Sequence, residues 1–144
     1  MPKGITTPTK RADMPNFTTA EKRFLDKNEI ARLATVSSDG MPHVVPVSYI
    51  FRNGVFLIAI DYETKKYRNI LHNPQVALVV DAIRPNRGVL IQGRAEIFER
   101  GIEFQSAYKV FHKKFSWVRA DPWKEGEAPF IRIQPSTRAS WGFR

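Results

Sequence analysis

A chain of 144 residues, 42% hydrophobic and 26% charged, has the composition of one ordinary globular domain with a real core. The absence of cysteine excludes disulfides, thiolate metal sites and cysteine nucleophiles; with no apolar run long enough to span a bilayer and no signal-peptide apolar region, the expectation is a cytoplasmic protein with no membrane partner. A formal net charge of +9 favours anionic partners, whether nucleic acid, acidic membrane surfaces or phosphorylated small molecules, but the lysines and arginines are scattered and form no dense block.

Residues 1–16 hold three prolines, two lysines, one arginine and one glycine, and read as a flexible or wrapping arm ahead of a single domain over 17–144. Thr18-x-x-Glu21 is a capping box that opens a helix through about Lys27, with Phe24 and Leu25 facing the core. RLATVS is a strand and Ser38-Asp39-Gly40 its turn. Pro42 to Phe51 follows as one strand, and Pro46 within it requires a free edge or a bulge. Asn53-Gly54 is a two-residue hairpin signal; its partner strand, VFLIAI, is continuously apolar and so covered on both faces.

A helix from about Thr64 to His72 carries Tyr67, Ile70 and Leu71 at helical spacing and ends at Asn73-Pro74. QVALVV is a strand, IRPNR a loop, and GVLIQGRAEIF a long strand with a bend or bulge at Gly93. A second helix fits residues 101–115 through Ile102, Phe104, Tyr108 and Phe111. FIRIQ is the last strand, followed by a short tail, STRASWGFR. Six short strands joined mainly by hairpins, with two or three small helices, predict a mainly β fold: an antiparallel barrel with helices at its margins.

The chemistry of catalysis is sparse. His43, His72 and His112 lie in different elements without metal-ligand spacing, and no nucleophile, phosphate-loop or dinucleotide motif occurs. No catalytic residue is assigned, and an enzyme built on this chain needs a bound cofactor to carry the reaction. The informative stretch is DYETKKYRNILHNPQVALVV. It sets Lys65 and Lys66 in the first turn of a helix, the end where the helix dipole disfavours cations by about 0.3–1 kcal/mol each. An anion held there by free backbone N–H groups and the two lysines turns that cost into a binding site. A solvated basic face is the competing explanation. Trp141, near the end of the chain, either stacks on a ring system or covers the core.

Three segments, LATVSSDGMPHVVPVSY, VFLIAIDYETKKYRNILHNPQVALVV and VLIQGRAEIFE, resemble in order and spacing the pyridoxamine 5′-phosphate oxidase-like flavin-binding proteins, and the resemblance spans roughly Phe17 to Phe143. It implies a six-stranded antiparallel split β-barrel, a homodimer, and FMN in two equivalent clefts at the dimer interface. Thr64, Lys65 and Lys66 match the step that holds the flavin phosphate. Ala59 and Ile60 would run beside the flavin, and Val45, Pro46, Val47 and Ser48 would lie under its ring. Trp141 matches an aromatic that closes the cleft from the second subunit. The chain also departs from the family's vitamin-oxidising members. Val45 and Ile50 stand where those enzymes carry an arginine and a lysine, Gly88 replaces a flavin-contacting glutamine, and no histidine follows His112. The resemblance therefore implies an FMN-binding oxidoreductase acting on an unknown small molecule other than pyridoxamine phosphate. A reductase using the deazaflavin coenzyme F-420 on the same fold is the alternative. A non-catalytic flavin carrier or a nucleic-acid-binding barrel, using the basic-aromatic segments HKKFSWVR and TRASWGFR, is a third reading.

Overall fold

The computed structural model describes residues 15–143. The expected arm, residues 1–16, lies outside the described residues except for Pro15 and Asn16. Thr18 accepts from the Glu21 N–H (3.1 Å) while the Glu21 carboxylate accepts from the Thr18 N–H (2.8 Å), so the capping box opens helix α1, Thr19–Lys27, as expected. Phe24 and Leu25 are buried.

The strands are β1 (Ile30–Val36), β2 (Pro42–Ser48), β3 (Ile50–Arg52), β4 (Val55–Ala59), β5 (Gln75–Ile83), β6 (Asn86–Phe98) and β7 (Phe130–Trp141). They form one antiparallel sheet in the order β2-β1-β5-β6-β7-β4-β3. Here the strand count differs from the six expected. Pro42 to Phe51 is a single extended run in sequence, but it breaks at Tyr49. Its first half pairs with β1 at one edge of the sheet and its second half pairs with β4 at the other. A run that reaches both edges curls the sheet on itself, and a split barrel results. Tyr49 is fully buried at the crossing, where its N–H donates to the Glu29 carbonyl (3.1 Å) and its hydroxyl to the Leu25 carbonyl (2.6 Å).

Local signals held where the chemistry is local. Asn53 (φ 54°) and Gly54 (φ 80°) make the β3–β4 hairpin. Pro46 sits on β2, an edge strand with β1 as its ladder partner. The β6–β7 register shifts between Gln92 and Gly93, where a glycine Cβ would meet the Gln134 carbonyl oxygen at 2.2 Å. Strand β4 is covered on both faces. Phe56 and Ile58 enter the barrel core, while Leu57 and Ala59 pack under a second cluster built on helix α3, Gly101–Lys114, with Phe104, Phe111 and Phe130.

Four expectations are corrected. The tail after FIRIQ is not a tail: β7 continues to Trp141, because β6 is long enough to pair with it as far as Gly88. IRPNR is not an open loop, since Ile83 pairs with Asn86 across a tight hairpin at Arg84-Pro85. A short helix α4, Ser116–Ala120, follows α3. In helix α2, Lys65–His72, Ile70 is buried but Leu71 is 61% exposed, and Asn69 takes the inward position instead.

Candidate functional site

Helix α2 begins where the sequence places it. Thr64 is its N-cap, and its hydroxyl accepts from the Tyr67 N–H (3.4 Å) and donates to the Asp61 carbonyl (2.7 Å). The Thr64 carbonyl takes the Arg68 N–H (3.4 Å). The N–H groups of Lys65 and Lys66 thus lie in the orphan first turn, which contains no acidic residue. Neither lysine makes an ion pair among the described residues. The helix is fixed from below by Ile70 and by Asn69 Nδ2, which donates to Thr35 Oγ1 on β1 at 3.0 Å, both residues being buried. Beside Lys65 is the β1–β2 turn. There the Ser37 hydroxyl and the Met41 N–H, helped by the Lys65 charge, hold the Asp39 carboxyl below its ordinary value.

Two of the expected segments come together. The β3–β4 ladder pairs Ile50 with Leu57. Extended in the same register it would set Ser48 opposite Ala59 and Val47 opposite Ile60, and β2 and β4 remain in contact past the ladder's end. The barrel splits there, with the free edge of β2 on one side and the β4–α2 connection on the other. Along β2 the side chains alternate: Val45 and Val47 turn inward, while Val44, Pro46 and Ser48 face outward. An edge strand also leaves alternate backbone groups unpaired, so β2 has main-chain donors and acceptors to offer a polar ring edge.

Trp141 is not brought to this cleft within one chain. It pairs with Gly88 at the opposite end of β7 from Phe130, the residue that neighbours Ala59. Its indole lies directly over Gly88, where a Cβ would stand 2.2 Å from Cζ2. The glycine that departs from the family's glutamine is thus the residue that lets Trp141 lie flat, 40% exposed.

A cavity of about 380 Å³ opens between Ala59, Ile60 and Lys66 on one side and Trp117, Asp121 and Glu127 on the other. Trp117 stacks parallel to Trp123 at 6.2 Å. Sequence reading missed this wall. Its residues come from α4 and the following loop, and the sole local signal was the aromatic in HKKFSWVR. With Asp61 included, three carboxylates face one lysine. Among the described residues there is no group of three or more His, Asp or Glu arranged to hold a metal ion, and no helix is long and apolar enough to cross a membrane.

The curled antiparallel sheet with a phosphate-suited helix start at its split defines a protein of the split-barrel class. Comparison with known sequences then fixes the family: the pyridoxamine 5′-phosphate oxidase family model matches residues 17–142, and the chain belongs to that family. A 5a,11a-dehydrotetracycline/5a,11a-dehydrooxytetracycline reductase of Streptomyces rimosus is 35% identical over 94 residues, 59% of this chain and 66% of the relative. An uncharacterized protein of Methanocaldococcus jannaschii is 34% identical over 88 residues, 58% of each chain. The match thus spans less than two thirds of either relative. Among solved structures, a FAD-binding protein of Mesorhizobium loti superposes with a TM-score of 0.69 at 25% identity, covering 86% of this chain and 94% of that one. The heme storage protein of Vibrio cholerae (TM-score 0.72, 19% identity, 83% and 89% covered) and an F420 reductase (0.64, 24%, 82% and 94%) share the fold. One fold thus serves proteins named for different cofactors, and the choice among them lies in the site.

The first turn of α2 fits a phosphate-bearing cofactor. It presents the free N–H groups of Lys65 and Lys66 and two ammonium groups without an ion pair among the described residues, donors of the kind that phosphate oxygens require. His43 faces inward on β2, its Nδ1 buried without a hydrogen-bond partner, while His72 and His112 are exposed on other elements.

Proposed function

We propose that this protein is a homodimeric oxidoreductase that holds FMN in the barrel split and acts on a small molecule. The observation that carries the reading is the α2 start, with its hydroxyl cap, orphan amides and two lysines that make no ion pair among the described residues. The reductase relative and the FAD-binding neighbour support a redox cofactor of flavin type. Bound there, the flavin supplies hydride or electron transfer. The chain's own groups hold and orient it: Thr64, Lys65 and Lys66 at the phosphate, Ala59 and Ile60 along its length, and the main chain of Val45 to Ser48 at the ring. The three carboxylates beyond Lys66 oppose a second anion in the adjoining cavity, so the part of a ligand that enters it is neutral or cationic.

The test is titration of the apo-protein with FMN, parent against Lys66→Ala. Removing one charge-assisted phosphate contact should weaken binding by about 1.5–3 kcal/mol, roughly ten- to a hundredfold. Unchanged affinity would sink the role given to Lys66. Parallel titration with the deazaflavin coenzyme F-420 decides the alternative: uptake of that cofactor by a protein indifferent to FMN replaces the first reading.

Pyridoxamine phosphate is not the substrate on this reading. Ile50 is buried among Phe104, Ala107 and Phe111, and Val45 turns inward, so neither position can present a cation to a substrate phosphate. The FMN-loaded protein is expected to give no turnover of pyridoxamine phosphate above the free-flavin rate, measured by peroxide release.

A further inference from the structure

At the other end of β7 from the flavin cleft, the β5–β6 hairpin tip meets helix α1 and borders an open cavity of about 520 Å³. Four cations line it, Arg23 and Lys27 from α1 and Arg84 and Arg87 from the hairpin, and no carboxylate does. None of the four makes an ion pair among the described residues. Arg87 is the most constrained. Gly142 (φ 82°) folds the chain so closely over it that a Cβ there would stand 2.6 Å from the Arg87 Cβ. The same turn delivers Phe143 onto Phe24 (5.3 Å, edge to face) and under the Arg87 guanidinium (5.4 Å). The Nε of Arg87 is buried with no hydrogen-bond partner.

Four like charges around one concavity repel, and an anion held among them relieves that repulsion. We propose that this cavity is a second anion site, for a small molecule bearing two or more adjacent phosphate or carboxylate groups. Its volume is within the range of small-ligand pockets. The cations converge on one pocket instead of running as a stripe, which favours a compact ligand over a nucleic-acid strand. The site is separate from the Thr64-Lys65-Lys66 step within the chain: β7 joins the two ends over twelve residues, on the order of 35 Å of extended strand. It does not rest on the flavin reading.

Calorimetric titration of the full chain with inorganic pyrophosphate, and separately with tri-glutamate, tests the site and separates phosphate from carboxylate ligands. The expected result is one saturable event per chain with at least one of them at physiological salt. Arg87→Gln should weaken it about tenfold or more, as should Arg84→Gln. Arg84 is exposed at the hairpin tip, so that variant keeps the test alive if Arg87→Gln fails to fold. Lys66→Ala should leave it unchanged, which separates it from the flavin phosphate step. No saturable binding of either probe, binding lost in Lys66→Ala but kept in Arg87→Gln, or displacement of the probe by a tighter-binding single-stranded oligonucleotide would each overturn the proposal.

Discussion

The Glu21 carboxylate closes the start of α1 on Thr18 and also accepts from Arg138 (2.8 Å) and Ser140 (2.5 Å) on β7, 117 and 119 residues away. Arg138 donates as well to the Asn16 carbonyl, so one buried acid ties the beginning of the described chain to its last strand. Burial pushes the Glu21 carboxyl up, but the hydrogen bonds from Ser140 and Thr18 and the charge of Arg138 outweigh it, and the group sits below its ordinary value of 4.5. A carboxyl that titrates lower in the folded state than in the unfolded one contributes fully above the unfolded value. That contribution is lost as pH falls through the folded value. Glu21→Gln should therefore lower stability by about 1–3 kcal/mol at neutral pH, and the gap between parent and variant should close as pH falls through the lowered folded-state value of the carboxyl. Denaturant melts at several pH values check this; a pH-independent gap would mean that packing, not charge, holds the clasp. At Gly88 the constraint is steric. Gly88→Ala places a methyl inside the Trp141 ring, and a cost of about 1–3 kcal/mol with altered tryptophan emission is the expected outcome.

At the scale of elements, α2 joins structure to binding, because its buried face and its phosphate-suited end are parts of one eight-residue helix. Asn69→Ala removes the bond to Thr35 and leaves a buried hydroxyl unpaired, a loss of about 1–3 kcal/mol. If that bond sets the pose of the helix, FMN affinity should fall too, although no residue touching the cofactor is changed. Reduced melting stability with FMN affinity intact would show that Ile70 and the Thr64 cap are enough. The start of α2 was legible in the sequence because a cap, a dipole and two charges are local chemistry. The same holds for the Asn53-Gly54 hairpin, the capping box and the bulge at Gly93. What the sequence hid depends on distant partners. Tyr49 ends β2 because the chain crosses from β1 to β4 there. The polar run Ser136 to Trp141 becomes strand because β6 offers a ladder. Asn69 displaces Leu71 from the core because Thr35 awaits it. Arg23 and Arg84 carry no mark of a shared cavity until the hairpin folds onto α1.

At the scale of the whole molecule, the described residues leave one broad face uncovered. Helices α3 and α4 pack over β4 and the start of β7, whereas among the described residues no helix lies on the outer face of β2-β1-β5-β6-β7. Cross-strand register gives it rows: Val44, Ala34, Ala77, Gln92, Thr137; then Pro46, Arg32, Val79, Leu90, Ala139; then Ser48, Ile30, with Asp81, Gly88 and Trp141. Its large apolar members are open to solvent, Val44 at 63% and Ile30 at 46%. Within these three rows the one cation and the one acid, Arg32 and Asp81, neutralise each other at 2.9 Å. Such a face suits a self-complementary contact, in which the two ends of a row exchange partners across a two-fold axis. The third row runs from Ser48 at the β2 edge to Trp141 on β7, four strand spacings or about 19 Å apart. An isologous pairing would then lay Trp141 of one copy against the Pro46–Ser48 edge of the other, twice, and complete two flavin clefts that a lone chain leaves open. Val79 lies on the central strand of the five, so Val79→Lys would bury an unpaired ammonium in that contact. The dimer should weaken by about 3 kcal/mol or more, over a hundredfold in dissociation constant. Sedimentation at micromolar concentration should then show monomer for Val79→Lys and dimer for Val79→Ala. FMN affinity should collapse in the former although Lys65 and Lys66 are untouched. A Val79→Lys protein that stays dimeric would move the interface elsewhere, and one that is monomeric yet binds FMN as the parent does would place the whole cofactor site within a single chain.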